Sequence, residues 1–386
     1  MAEQKPLKVL MMGGRRCGKT SALASLFEQM VNGPVKNYFT VSDQTILETK
    51  DGETQDSLNG KFLELTQMLG KPHTKTFLVD KGPTNNFWNY SLKLQIPGTD
   101  RAMFMEFRDS AGEFFEAGGA HSKETNDYVS ECDVFVIIVD TPYLMGCNEE
   151  ESKELCTEAI NLGTNRINDI HGFLTNINDN DGQDAKMVVF VPLKCEKWAK
   201  EGRIDEVTAR IKTVYEKTIK ALPAYKKMTI GIIPIQTTGN IIFSELSEAY
   251  RLYNNETNCV QLCSKMTDNI VRLKDGRYHR IHNNEYLEQD PSFYYEFSDE
   301  AIRMEWFQYA NNRNADFSPE NCDQLFLHIL RFMLKKFLEE GKNHILPFPK
   351  EMNKDTAREI LDTLMSNKLI KDDTDCIHTI KSVFIN

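Results

Sequence analysis

Eight consecutive residues constrain this chain more than any other stretch. Gly13-Gly14-Arg15-Arg16-Cys17-Gly18-Lys19-Thr20 fits the phosphate-binding loop pattern G-x-x-x-x-G-K-[ST] without a mismatch. The flanks ask for the same local fold. Upstream, Val9-Leu10-Met11-Met12 is a short apolar run of the kind that forms a buried strand. Downstream, Ser21 to Met30 carries Ala22, Leu23, Leu26, Phe27 and Met30 at helical spacing. In such a strand–loop–helix unit the glycines let successive backbone N–H groups converge on phosphate oxygens, and the helix N-terminus adds positive potential. Lys19 is then placed for the outer phosphates and the Thr20 hydroxyl for a Mg²⁺ ion. The competing reading is a plain glycine turn between an ordinary strand and helix.

The pattern beyond the loop extends this unit into a sheet. A short strand is expected at Tyr38 to Val41, a helix at about Asp56 to Leu69 and a turn-rich loop from Asp80 to Asn86. Phe87 to Ile96 alternates in period two, and Pro97-Gly98-Thr99-Asp100 turns it into Ala102 to Arg108, so those two strands pair antiparallel. After a helix near Thr125 to Cys132, Asp133 to Asp140 is almost continuously apolar, as is Met187 to Val191. Such runs belong at the centre of a sheet covered on both faces. Glu151 to Asn176 reads as mostly helical, Ile204 to Leu222 as one amphipathic helix, and Thr229 to Ile235 as the last core strand. Alternating strands and helices predict an α/β fold: a mostly parallel sheet with one antiparallel hairpin strand and helices on both faces, functional loops at the strand carboxyl ends. Past Asn240 the pattern weakens. A hairpin is expected over Val271 to Ile281, a helix from Ser318-Pro319 to about Gly341, and a helix (Asp355 to Met365) with a short hairpin at the end.

Composition narrows the function classes. A chain of 386 residues with 40 % hydrophobic and 27 % charged residues reads as globular. The net charge of −11 argues against a broad nucleic-acid surface but not against phosphate ligands, which a glycine loop binds through local amides and one lysine. No apolar run reaches the length of a membrane span, and the first residues are no secretory leader. Nine cysteines without framework spacing point to free thiols in a reducing cytoplasm. His279 with His282, and Cys259 with Cys263, are the nearest things to metal-ligand pairs, and neither has a matching second pair.

A second loop adds chemistry to the first. Asp109-Ser110-Ala111-Gly112-Glu113 follows the second hairpin strand, and an aspartate three residues before a glycine is what a nucleotide-sensing loop needs. Asp109 can hold a Mg²⁺-bound water, and the Gly112 amide can meet the γ-phosphate with no side chain in the way. With this loop in place the chain resembles the Ras-like P-loop GTPases of the translation-factor-related class. Asp109 to Glu113 is similar to the family's D-T-A-G-Q, and Pro83-Thr84 before a strand to its first switch. Val191-Pro192-Leu193-Lys194-Cys195-Glu196 is similar to its base-reading N-K-x-D, and Gln236-Thr237-Thr238-Gly239-Asn240 to its S-A-K loop. The resemblance covers Leu7 to about Asn240 and the closing helix after Ser318. Within the class, overall character is most similar to the prokaryotic double-GTPase families of multi-gene conflict systems.

The resemblance implies a site. Gly13, Arg16, Cys17, Gly18, Lys19, Thr20 and Ser21 line the phosphates, and Gly112 approaches the γ-phosphate. Thr20, Thr84 and Asp109 serve Mg²⁺, with Thr40, Thr74 and Thr76 as alternatives to Thr84. Lys194 lies along the base, Glu196 accepts from guanine, and Thr238 and Gly239 complete the base loop, the Gly239 amide reading guanine O6. Departures accompany these matches. Leu193 replaces the asparagine that struts the base loop to the phosphate loop, and Glu196 replaces aspartate; a carboxylate still suits guanine's two donors better than adenine. Glu113 stands in for the water-positioning glutamine, so Glu113, Lys19 and Arg16 are the catalytic candidates. Arg16 is similar in position to the internal arginine finger of guanylate-binding proteins; the alternative is a solvent- or partner-facing arginine pair.

The implied organisation is a Ras-like domain over residues 1–343 with insertions at about 32–81 and 241–317, and a C-terminal extension at 344–386. Both insertions are expected near the nucleotide edge, where they cover it, sense it, dock a partner or pad the core. The implied function is a GTP/GDP switch with slow Mg²⁺-dependent hydrolysis, read by an effector or regulator protein and open to nucleotide-dependent dimerisation, without nucleic acid or membrane partners. The alternatives are a nucleotide-binding scaffold with little turnover, an ATP-using P-loop protein, and a small-molecule or nucleic-acid kinase on the same loop; kinases of that type usually carry an arginine-bearing lid, and the Asp109 to Glu113 loop after an antiparallel hairpin argues against the last.

Overall fold

The computed structural model describes residues 7–14, 16–43, 58–69, 77–78, 88–97, 102–109, 132–149, 152, 155–175, 185–222, 227–254, 259–263, 269–272, 278–282, 285–286, 295–297, 302–310, 317–340, 354–371 and 378–381. The N-terminal elements are β1 (Leu7–Met12), α1 (Lys19–Asn32), β2 (Thr40–Asp43), α2 (Leu58–Leu69), β3 (Phe77–Leu78), β4 (Trp88–Gln95), β5 (Ala102–Asp109) and β6 (Val134–Asp140). Next come α3 (Thr141–Gly146), α4 (Glu158–Thr164), α5 (Ile167–Thr175), β7 (Lys186–Leu193), α6 (Glu196–Lys200), α7 (Ile204–Val214), α8 (Glu216–Ala221) and β8 (Met228–Ile232). A run of strands follows: β9 (Ile241–Asn254), β10 (Cys259–Cys263), β11 (Asn269–Arg272), β12 (Tyr278–His282), β13 (Glu285–Tyr286), β14 (Tyr295–Phe297) and β15 (Ile302–Tyr309). The chain then forms α9 (Cys322–Glu340), α10 (Lys354–Ser366) and β16 (His378–Lys381).

The main sheet has the order β16-β8-β7-β6-β1-β5-β4-β2. β8, β7, β6, β1 and β5 are parallel neighbours, and β4 pairs antiparallel with β5, Trp88 opposite Asp109. This is the expected α/β P-loop architecture. Successive side chains of each central strand feed opposite cores, which is why these strands read as unbroken apolar runs. Val9 and Met11 join α1, α9 and α10 on one face. Leu10 and Met12 join the second core on the other, with Trp198, Val207, Ile211 and the first part of β9. The chain leaves β1 to build outward on both sides, through β5 and through β6, so β1 is the switch point and its carboxyl end the natural crevice.

Several expected elements differ in extent. The helix over Ile204 to Leu222 breaks at Tyr215, whose ring packs on Phe190 and whose hydroxyl donates to the Asn165 carbonyl. The described part of Glu151 to Asn176 holds two short helices separated at Arg166, which has a φ of 52°. Ser318-Pro319 does not open a helix; α9 starts at Cys322. Residues 317–320 are instead extended and bridge to the loop after β8, with backbone bonds both ways between Gln236 and Glu320. The C-terminal helix is present as α10. Among the described residues the expected hairpin is one strand, β16, paired antiparallel with β8, so the main sheet runs past β8. The helix near Thr125 to Cys132 falls almost entirely outside the described residues.

The largest addition is a second eight-stranded sheet, with β11-β12-β14-β9-β15-β3 as its path and β10 and β13 at its sides. The expected β11–β12 hairpin is part of it. β3 comes from the first insertion and pairs with β15 of the second, Trp306 opposite Leu78. The stretches 32–81 and 241–317 therefore meet in one sheet. It seats on the main domain through Phe243, which stacks on Trp198 at 5.7 Å, and through Phe307 and Tyr309 in the same core.

Candidate functional site

The loop between β1 and α1 is shaped by its own sequence. Gly18, the α1 N-cap, has a φ of 99°, a conformation that a Cβ disfavours, and it turns the chain into the helix. Lys19 is almost fully buried, and its ammonium donates to the carbonyls of Gly14 (2.9 Å) and Gly13 (3.3 Å) and reaches Cys17 Sγ at 3.8 Å. The lysine is thus wrapped by the loop it closes. Burial pushes the Cys17 thiol up, away from the thiolate, although Lys19 opposes this.

Asp109 ends β5 beside that loop. The Thr20 hydroxyl donates to its Oδ2 at 2.5 Å, while Oδ1 is buried with no hydrogen-bond partner among the described residues. Burial pushes its carboxyl up, with Lys19 and the Thr20 bond pulling the other way. A buried carboxylate oxygen without a donor, next to a threonine hydroxyl and a buried ammonium, is an incomplete polar group. A divalent cation with its water, in contact with phosphate, would complete it. The residues present fit both ligands.

The opposite end of the crevice is built by loops after β7 and β8. Glu196, 2 % exposed, opens α6 and accepts from the Thr238 backbone N–H (3.1 Å) and hydroxyl (2.9 Å). Burial raises its carboxyl, and the Thr238 bonds offset part of that. Gly239 is held at φ 70° against the 317–320 segment; a Cβ there would lie 2.0 Å from the Ser318 carbonyl oxygen. The Ser25 hydroxyl of α1 donates to the Thr237 carbonyl at 3.1 Å and ties this loop to the phosphate end.

Lys194 joins the two ends. Its ammonium donates to the Arg16 carbonyl at 3.1 Å, so lysine supplies the polar strut that Leu193 cannot. Leu193 itself packs under Gly18, its Cδ1 3.3 Å from where a Cβ would stand. Arg16 and Lys194 both have left-handed backbone, with φ of 59° and 58°, a strain of about 1–2 kcal/mol each for a non-glycine residue. Lys194 also pairs with Asp140 (2.6 Å) and Glu305 (2.7 Å). Burial works against its charge, but the Asp140 carboxylate, with the Glu305 carboxyl beside it, holds the ammonium protonated above its ordinary range.

The structure thus brings Gly13, Arg16, Cys17, Gly18, Lys19, Thr20, Ser21, Asp109, Lys194, Glu196, Thr238 and Gly239 to one edge of the main sheet. Arg15, Thr84, Gly112 and Glu113 lie outside the described residues, as do Thr74 and Thr76, and Thr40 stands at the start of edge strand β2. Sequence reading missed Asp140, Asn165 and Glu305. Asp140 had a signal: it is a carboxylate at the end of an apolar central strand, the same station as Asp109. Asn165, which brackets Asp140 by bonding its N–H (2.7 Å) and carbonyl (3.2 Å), had none. Glu305 lies over a hundred residues away from its partner in sequence.

Among the described residues no group of three or more His, Cys, Asp or Glu has metal-holding geometry and no helix is long and apolar enough to cross a membrane, and Cys17, Cys132, Cys147, Cys156, Cys195 and Cys322 are free thiols. No family model matches the chain, and no curated protein matches it. Among solved structures it is similar to the signal recognition particle receptor SRb-GTP/SRX complex from Chaetomium thermophilum, at 12 % identity, 62 % of this chain, 94 % of that one and a TM-score of 0.33. It is also similar to the S. cerevisiae Ski7 GTPase-like domain. The form bound to GDP and inorganic phosphate matches at 10 % identity, 80 % and 71 % coverage and a TM-score of 0.31; the GTP-bound form matches at 11 %, 82 % and 72 %, and 0.32. Likeness at this level fixes no activity.

Proposed function

We propose that this chain binds a purine nucleoside triphosphate, GTP in preference to ATP, and hydrolyses it slowly as a switch read by a protein partner. The observation that carries this reading is the single edge shared by the Lys19 cradle, the Thr20–Asp109 pair and the Glu196–Thr238 pair. Their separate loops follow β1, β5, β7 and β8, where an α/β sheet binds its ligand. Lys19 exchanges its loop carbonyls for the outer phosphate oxygens. Thr20 and Asp109 hold Mg²⁺, which supplies charge neutralisation for the phosphates when bound. Glu196 keeps one carboxylate oxygen on Thr238 and offers the other to guanine's adjacent donors.

Glu113 orients the attacking water, and Arg16 adds positive charge beside the leaving group, a contribution worth about 10³–10⁵-fold for arginine fingers in general. A nucleotide-dependent dimer and a place in a bacterial conflict system belong to the same reading. Titration calorimetry with GTP and ATP in Mg²⁺ tests it, beside steady-state phosphate release. GTP binding at least about tenfold tighter than ATP, with slow release, is the expected result. Binding without release leaves a scaffold, and no heat with either nucleotide sinks the proposal. Replacing Arg16 with Ala tests the finger: single-turnover hydrolysis should slow while affinity holds.

A further inference from the structure

The inserted sheet reaches the base end of this site through one side chain. β15 pairs with β9 in a register that shifts between Trp306 and Phe307: Trp306 faces Glu245, and Phe307 faces Phe243. Ser244 is therefore an extra residue on β9, a bulge, and bulges re-aim side chains next to them. Glu305, Phe307 and Tyr309 share one face of β15 by strand alternation. Phe307 and Tyr309 enter the core of the main domain, and Glu305 enters the charged cluster at Lys194. Both of its carboxyl oxygens lie 2.7 Å from the Lys194 ammonium. The same ammonium contacts the phosphate loop at Arg16.

A second contact holds the other half of the base end. Phe243 stacks on Trp198 of α6, the helix that Glu196 opens, with the ring planes 14° apart. The inserted sheet thus contacts the Lys194 side chain directly and, through Trp198, the helix that Glu196 opens.

We infer that Glu305 is a positioning residue that fixes the Lys194 ammonium, and that through it the inserted sheet is a working wall of the base pocket, coupled to nucleotide occupancy. This rests on the nucleotide-binding reading above. The coupling follows from linkage: if the sheet's placement sets the Lys194 position, base binding must in turn favour that placement.

The test uses the full chain and two ligands, GTP and inorganic triphosphate, each with Mg²⁺. Glu305→Ala should weaken GTP binding about tenfold, the loss of one buried hydrogen-bonded partner of a charge, and leave triphosphate binding within about twofold. Glu305→Gln, whose amide can still accept from Lys194 and donate to Asp140, should retain GTP affinity within about twofold. GTP should slow hydrogen exchange in Ile302–Tyr309 of the native chain and not of Glu305→Ala. Equal losses for both ligands, or a Glu305→Ala affinity for GTP equal to the native one, overturn the inference while leaving nucleotide binding intact. Loss in Glu305→Gln as large as in Glu305→Ala overturns the bonding pattern on which it stands. A native chain that binds GTP no better than triphosphate fails at the earlier step, and both readings fall together.

Discussion

The phosphate end and the base end of the crevice lie at one sheet edge but are built in opposite ways. The phosphate end is one contiguous loop. Its polar partners are mostly backbone groups within six residues of Lys19, and Gly18 supplies the turn that aligns them. The base end is assembled from Asp140, Lys194, Glu196, Thr238, the 317–320 segment and Glu305, drawn from strands far apart in sequence. At its centre are charged side chains drawn from the interior, Asp140, Lys194, Glu196 and Glu305, with backbone groups of Thr238, Arg16 and Glu320 around them. A site made of backbone amides tolerates sequence change around a few fixed positions. A site made of buried charges depends on every partner, because removing one leaves another uncompensated.

Substitutions can break this contrast, and the base end should give the largest effect on folding. Gly239→Ala meets a left-handed backbone and the Ser318 carbonyl at once, and should cost about 3 kcal/mol or more, read from urea unfolding. Gly18→Ala, at a similar φ but facing the flexible end of Leu193, should cost about half as much. Equal costs would remove the asymmetry. Next comes Lys19→Ala, with little effect on folding beyond its loop but a loss in GTP affinity of about 2–3 kcal/mol, on the order of a hundredfold, by calorimetry. Asp109→Asn should raise the Mg²⁺ concentration needed for half-maximal nucleotide binding by about tenfold, as loss of an outer-sphere partner does. Thr238→Val removes the hydroxyl bond to Glu196 while the backbone N–H bond stays, and should narrow the GTP-to-ATP affinity ratio by roughly fivefold, about 1 kcal/mol.

The smallest effect sharpens the contrast through pH. Burial and the nearby Asp140 push the Glu305 carboxyl from 4.5 up to about 8, against the pull of Lys194; Tyr143 of α3 also lies in this electrostatic cluster. The folded state then holds a proton that the unfolded chain releases near 4.5. Its contribution to stability is greatest below that value and falls as pH rises through about 8. Urea midpoints should decline over that window, and Glu305→Gln should flatten the decline. A native midpoint that rises from pH 5 to pH 8 would contradict the assigned cluster.

The chain's sequence was legible wherever structure follows from local rules. The glycine loop, the helix after it and the alternation of Trp88–Gln95 all follow from spacing and backbone sterics, as do the apolar central strands. Asp109 beside Thr20 was legible too, since parallel strands next to β1 deliver their carboxyl ends to the same edge. Ser318-Pro319 shows the other case. Serine and proline satisfy the local rule for a helix start, yet pairing with Gln236 gave the segment a partner that the rule does not weigh.

Sequence alone determined the class of sheet and where a phosphate tail can sit, because backbone donors need only a short segment to converge. Tertiary structure alone decided that Glu305 meets Lys194, that β3 and β15 share one sheet and that β16 extends the main one. Those pairings join residues between 111 and about 230 positions apart. Their energy comes from burial and complementary charge, which no local pattern encodes.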